Sequence, residues 1–167
     1  MNTPAPVTLE LVELHQLEDY VSPFAIDPDG FPSRWWDDLN RISDANFHTF
    51  TILDDGAEVA RAEVLADPTR LTQADINPAI YQGSGLHRGM VDIDRLEVRA
   101  DRRGQGIGRA AVDLIVDHYP GRDFFAFSVD ADGFWAGIGW QRFPRRDGDP
   151  LYSTLFAYLS GRTPANC

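Results

Sequence analysis

Polar and apolar residues alternate over Thr8–Leu14 (TLELVEL), the period-two pattern of a half-buried strand. His15–Val21 reads as a short helix ended by Pro23. Ser33 supplies an N-cap for a helix to about Arg41, after the turn-rich run Asp27-Pro-Asp-Gly-Phe-Pro. Phe47–Leu53 and Glu58–Leu65 flank Asp54-Asp55-Gly56, which predicts a β-hairpin. Ala66–Gly89 holds prolines and glycines with little periodicity and reads as a long excursion, a kind of loop that is often functional. Val91–Arg99 is the next strand and runs straight into a glycine-rich turn. After it, Ile107, Ala111, Leu114, Ile115 and His118 recur on one helical face, and Pro120-Gly121 stops the helix. Phe124–Val129 is strongly β-like, and Ala131–Gly137 predicts a short, weak helix. Trp140–Phe143 and Leu151–Leu159 are closing strands joined by a polar turn at Arg145–Pro150. The sum is an α/β (α+β) chain with a mixed, mostly antiparallel sheet of six to seven strands flanked by about four helices. It is expected to form one domain over residues 1–160, with 161–167 a disordered tail.

Composition narrows the class. The chain has 167 residues, of which 43% are hydrophobic, enough for a core of its own. No apolar run approaches the roughly 20 residues that span a bilayer. The start, Met-Asn-Thr-Pro-Ala-Pro, lacks the basic and apolar stretches of a signal peptide, so a cytoplasmic location is expected. Cys167 is the lone cysteine, which leaves no internal disulfide and no cysteine-based metal site. His15, His48, His87 and His118 show no ligand spacing, and no metal is expected; His118, on the apolar helix face, is expected to be structural. The net charge is -11, and all 15 positive residues are arginine. An acidic surface attracts cationic substrates and repels nucleic acid. Against that background Arg95, Arg99, Arg102, Arg103 and Arg109 face only Glu97 and Asp101 in their own segment. Such a basic island has two readings, an anion site or a set of arginines paired with nearby aspartates.

The segment Leu96-Glu-Val-Arg-Ala-Asp-Arg-Arg103-Gly-Gln-Gly-Ile-Gly108-Arg-Ala-Ala sharpens this. A strand enters a turn kept free of side chains by glycines, and the turn opens into a helix. The first amides of a helix lack intrahelical acceptors and sit at the positive end of its dipole. Gly104, Gly106 and Gly108 let phosphates approach the backbone closely. A dinucleotide-binding loop is disfavoured because Arg109 stands where its third glycine belongs. An NTPase phosphate loop needs a lysine, and the chain has none.

The segment resembles the acyl-CoA-binding motif of the GNAT superfamily of N-acetyltransferases, Gln/Arg-x-x-Gly-x-Gly/Ala after a strand ending Leu-x-Val. Here Arg103-Gly-Gln-Gly106-Ile-Gly108 follows Leu96-Glu-Val98. Element order, size and a Gly139-Trp140 pair, matching a common Gly-Phe, extend the likeness. The resemblance implies a GNAT fold that binds acetyl-CoA across a splayed pair of strands. Its pantetheine arm would bond to the backbone of Leu96, Glu97 and Val98. Its diphosphate would lie on Arg103, Gly104, Gln105, Gly106, Ile107, Gly108 and Arg109. An acceptor amine would attack the thioester directly, with the Val98 amide as donor to the thioester oxygen.

Relatives with a known base carry Glu or His at the positions matching Asp92 and Asp94, counted back from Arg103. Strand alternation puts Asp92, Asp94, Leu96 and Val98 on one face and Ile93, Arg95 and Glu97 on the other. Asp92 and Asp94 are therefore the candidate catalytic carboxylates, acting through water or by holding the ammonium form. Many relatives carry an acid tyrosine where this chain has Trp135, after Phe134. Tyr152, Tyr158 or water then serves as acid, or the domain binds acyl-CoA without catalysis. A different acyl donor or an aminoacyl-tRNA on the same fold is a further alternative. Trp35-Trp36-Asp37-Asp38 is the candidate acceptor group, since aromatic faces beside carboxylates suit a cationic amine. The plainer reading packs one tryptophan in the core. No membrane partner is expected, and dimers are common in the family, so a homodimer is one expectation.

Overall fold

The structure, a computed structural model, describes residues 8–15, 22–37, 47–66, 81, 86, 89–149 and 153–161. Its strands are β1 (Leu9–Leu14), β2 (Phe47–Asp54), β3 (Ala57–Leu65), β4 (Val91–Val98), β5 (Phe124–Ser128), β6 (Gln141–Phe143) and β7 (Thr154–Tyr158). They form one sheet in the order β1-β2-β3-β4-β5-β7-β6. The β1–β2, β5–β7 and β6–β7 ladders are antiparallel, and β4 pairs with β5 in parallel. A parallel pair needs a crossover rather than a hairpin, and the helix α1 (Ile107–His118) lies on that connection. A second, short helix, α2 (Asp132–Gly137), precedes β6.

Two compact units divide the chain, residues 1–63 with 95–118 and residues 64–94 with 119–167. In the first, β1 runs against β2 from Leu9↔Asp54 to Leu14↔Thr49. The β2–β3 turn has positive φ at Asp55 (50°) and Gly56 (78°), as a two-residue hairpin with the strands' twist requires. α1 packs on β1 and buries Ile107, Ala111, Val112 and Ile115. Each larger side chain among these contributes about 1.5–3 kcal/mol by leaving water. Val112 thus takes the inward place expected of Leu114. His118 is largely exposed, its ring edge-on to Phe50 at 5.1 Å between centroids.

In the second unit Tyr81, Leu86, Met90, Phe125, Phe143, Leu155 and Ala157 form a core that Phe127 and Leu159 flank. Arg122 ties its start together by donating to the carbonyls of Ala66 (2.8 Å) and Gly89 (2.6 Å), while Val91 N donates to Asp123 O (2.8 Å).

Seven strands match the upper end of the expectation; about four helices do not. Among the described residues there are two α-helices and short 3-10 turns at Arg34–Asp37 and Ala100–Arg102. The helix expected from Ser33 begins as the first of these turns. There the Trp35 carbonyl accepts from the Arg95 guanidinium, a tertiary bond at a group that an α-helix would use internally. Residues 16–21 and 38–41 of the expected helices lie outside the described residues, as do most of Ala66–Gly89, Leu151, Tyr152 and the tail from 162 onward.

Candidate functional site

The glycine turn grows out of the end of β4. Arg99 N donates to Val59 O at 2.9 Å, and the 3-10 turn Ala100–Arg102 follows. Gly104 (φ 76°) and Gly106 (φ 80°) then adopt left-handed conformations that side chains disfavour. Nothing lies within 4 Å of where a Cβ would stand on either. Gly104, Gln105, Gly106 and Arg109 are exposed, while Ile107 is 3% exposed and anchors the helix start in the core. Ala110 N donates to Gly106 O at 3.2 Å, so the amides ahead of it belong to the helix's unsatisfied first turn. An open, glycine-lined backbone at a helix N-terminus fits an oxyanion group such as a diphosphate.

The arginine island is largely engaged. Arg95 meets Glu63 (3.4 Å), Arg99 meets Asp27 (2.5 Å) and Asp101 (3.1 Å), and Arg102 meets Asp54 (2.6 Å). Arg102 Nε also donates to Gln105 Oε1 at 3.0 Å, which braces the turn. Arg103 Nε donates to Val98 O (3.2 Å), and its Nη2 reaches Glu97 Oε1 (3.3 Å). Its side chain stays 55% exposed, so it is the paired arginine most open to a ligand among these. Partial desolvation pushes the Asp113 carboxyl up, and the positive field of Arg109 opposes that shift.

The loop before Trp35 fastens this turn. Asp27 accepts from Gly30 N (2.8 Å), and Ala100 N donates to Gly30 O (2.8 Å). The Gly30 amide and then the Arg99 guanidinium hold the Asp27 carboxyl below its ordinary range, and Asp27 raises Arg99 in return. The sequence marks residues 27–32 as a turn, but carries no signal that it grips Arg99.

Charge is buried on both faces of β4: Ile93, Arg95 and Glu97 on one face are all buried, and so is Asp92 on the other. Glu97 accepts from Ser33 Oγ (2.8 Å) and Trp36 Nε1 (2.5 Å). Trp36 is therefore a core residue, 6% exposed, packed edge-on against Phe24 at 4.9 Å and clustered with Phe31. Trp35 is half-buried and edge-on to Trp36 at 6.2 Å. Asp38 lies outside the described residues. Two cavities of about 410 and 350 Å³ flank Arg61, the smaller walled by Phe24, Phe31, Arg34 and Trp36. The glycine turn lines neither.

Leu96 and Val98 are half-buried and belong with Glu97 and the turn to the first unit. Asp92 and Asp94 belong to the second. Asp92 is 1% exposed and pairs in register with Phe125, whereas Asp94 is half-buried. The parallel ladder there covers Val91↔Phe124 and Asp92↔Phe125. Trp135 is buried against Trp140, with ring centroids 4.7 Å apart. Tyr158 on β7 is 38% exposed and 6.2 Å from the Trp140 ring. Among the described residues no three His, Cys, Asp or Glu groups are disposed to hold a metal, and no helix is long and apolar enough to cross a membrane.

With this geometry in view, comparison with known proteins is decisive for the family. The model of the acetyltransferase (GNAT) family matches residues 10–136. The chain belongs to that family. An acetyltransferase of the GNAT family from Streptococcus agalactiae 2603 superposes with a TM-score of 0.56 at 19% identity, over 81% of this chain and 77% of that one. AtaTR bound with AcCoA gives 0.55 at 11% identity, over 90% and 92%. A KacTA–DNA complex gives 0.56 at 15% identity, over 90% and 92%. Identities this low establish the GNAT fold alone. No curated protein matches the chain.

Proposed function

We propose that this GNAT chain is an acetyl-CoA-dependent N-acetyltransferase that acetylates a primary amine, either a small cationic amine or a protein amino group, by direct attack on the thioester. The observation that carries the reading is the open turn Gly104–Gly108 at the start of α1, with Arg103 half exposed at its entrance. Bound acetyl-CoA supplies an acetyl group already activated as a thioester. The amides of residues 104–109 hold the diphosphate, and the Arg103 guanidinium neutralises part of its charge. The backbone of Leu96, Glu97 and Val98 aligns the pantetheine, and Val98 N–H donates to the thioester oxygen. That donor matters because oxygen gains charge as the amine attacks.

Asp92 and Asp94 serve the acceptor's proton. A carboxylate has too low a basicity to strip an ammonium efficiently, so these residues hold the cation until water carries the proton away. Half-buried Asp94 is the better placed of the two to exchange with solvent. Trp35 and Trp36 belong to the acceptor side, Trp35 through an aromatic face and Trp36 by supporting it from the core. Water protonates the leaving thiolate, because Tyr158 pairs in register with Phe124, and Phe124 with Val91, at the end of β4 opposite Val98. A net charge of -11 favours cationic acceptors over nucleic acid, and a cytoplasmic chain acting alone or as a homodimer fits the same reading.

One observation favours a second reading. Trp135 occupies the place of the acid tyrosine and is buried against Trp140, so a non-catalytic acyl-CoA-binding or regulatory domain is the alternative. Isothermal titration with acetyl-CoA followed by thiol release over an amine panel separates them. Binding with amine-dependent release supports the enzyme; binding with no release across the panel supports the silent domain. An absence of binding removes both.

A further inference from the structure

Glu97 is a carboxylate shut away from water, its side chain 3% exposed. Three donors reach it: Ser33 Oγ at 2.8 Å, Trp36 Nε1 at 2.5 Å and Arg103 Nη2 at 3.3 Å. The first two are neutral. Among the described residues, the ion pair of Glu97 is with Arg103. Burying a carboxylate is costly unless a cation or several donors compensate, so Glu97 draws on Arg103 for its charge balance. The pair is loose, since one oxygen is shared with Ser33 and the distance is long for a charge-assisted bond. Arg103 is also the residue that opens the glycine turn, and more than half of it faces solvent.

We propose that Glu97 is a positioning residue that competes with the cofactor's diphosphate for Arg103, and so sets how tightly the turn binds. The proposal rests on the reading of that turn as the diphosphate site. Each time Arg103 turns to the diphosphate, Glu97 is left with Ser33 and Trp36 alone, and part of the binding energy is lost to that exchange. Reciprocity follows from linkage: whatever strengthens the hold of Ser33 and Trp36 on Glu97 frees Arg103 and tightens the cofactor. The buried carboxylate thereby connects the acceptor-side loop at Ser33–Trp36 with the cofactor turn.

The test is titration calorimetry of the full chain with coenzyme A, and with inorganic pyrophosphate as a probe of the diphosphate alone. Glu97→Gln keeps an acceptor for Trp36 and offers an amide N–H to the Ser33 hydroxyl, which then accepts, but it removes the charge that holds Arg103. It is expected to bind both probes about two- to fivefold more tightly, the range of a weak ion pair. Arg103→Gln weakens both, and in that background Glu97→Gln has no further effect. Ser33→Ala removes one neutral donor, so Glu97 leans harder on Arg103 and both probes bind more weakly; it serves if the Gln variant folds poorly. A merely structural Glu97 gives equal or weaker binding in Glu97→Gln and leaves binding by Ser33→Ala unchanged, which overturns the proposal. Tightening that persists in the Arg103→Gln background also overturns it, because plain charge repulsion then suffices. A parent chain that binds neither probe removes the cofactor reading and this proposal together.

Discussion

Alanine at Gly106 separates a glycine kept for its backbone from one kept for a ligand. Gly106 has φ 80°, and no atom lies within 4 Å of the added methyl. Its folding cost is therefore conformational only, about 1–2 kcal/mol for an L-residue forced into the left-handed region. In a chain of this size that lowers Tm by roughly 2–4 °C per kcal/mol. Gly121, just past α1, has φ 76° and equally open surroundings, so Gly121→Ala carries the same cost. The two variants differ in what approaches them. At Gly106 the methyl stands where the diphosphate comes down on the amides. Losing one charge-assisted hydrogen bond there costs about 1.5–3 kcal/mol, so affinity for acetyl-CoA falls about tenfold or more. Calorimetric melting and titration with acetyl-CoA measure both quantities. Matched losses of Tm with a selective loss of binding in Gly106→Ala are expected. Equal acetyl-CoA affinity in the two variants would refute the reasoning.

Three further outcomes follow from particular contacts. A methyl on Gly30 would stand 2.5 Å from Asp27 Oδ2 and 2.6 Å from Arg99 Nη1, so Gly30→Ala displaces the pair that fastens the turn. Both atoms are ends of flexible side chains, so denaturant unfolding should show only a small loss of stability, and a large loss would mean that the pair cannot rearrange. The Asp27 carboxyl is depressed first by the Gly30 amide and then by Arg99, so it lends stability above its ordinary pKa of 3.8 and loses it as pH falls through the folded value. Asp27→Asn is accordingly less stable than the parent at neutral pH, with the gap closing below pH 3.8 in urea titrations; a gap independent of pH contradicts this. Asp92→Asn combined with Asp94→Asn should cut turnover sharply while acetyl-CoA affinity holds, and unchanged turnover removes both aspartates from the chemistry.

What was legible in the chain is what local rules decide. Asp54-Asp55-Gly56 announces its hairpin because only residues tolerant of positive φ fit that turn. The strand, glycine turn and α1 follow from one apolar face and three spaced glycines. Alternation along β4 separates two sets of side chains, yet cannot say that charged members of both, Asp92 as well as Arg95 and Glu97, are buried. Hydrophobicity alone would turn Arg95 and Glu97 outward. They are buried because Glu63, Trp35, Trp36, Ser33 and Arg103 satisfy them, partners up to 64 residues away in sequence. The same long-range logic decides Trp36, whose indole N–H is committed to Glu97 and whose ring is edge-on to Phe24. It also decides the arginine island, where most members are held by carboxylates from three other segments. The helix expected from Ser33 is a 3-10 turn over Arg34–Asp37 among the described residues, where the Trp35 carbonyl accepts from the distant Arg95.

Amide chemical shifts of the isotopically labelled chain, followed as coenzyme A is added, test the central claim most directly. If the turn holds the diphosphate with its own backbone, the N–H resonances of Gly104, Gln105, Gly106, Ile107 and Gly108 move together and saturate with the binding isotherm, while that of Gly121 stays put. Saturable binding that leaves those five resonances in place would contradict the account.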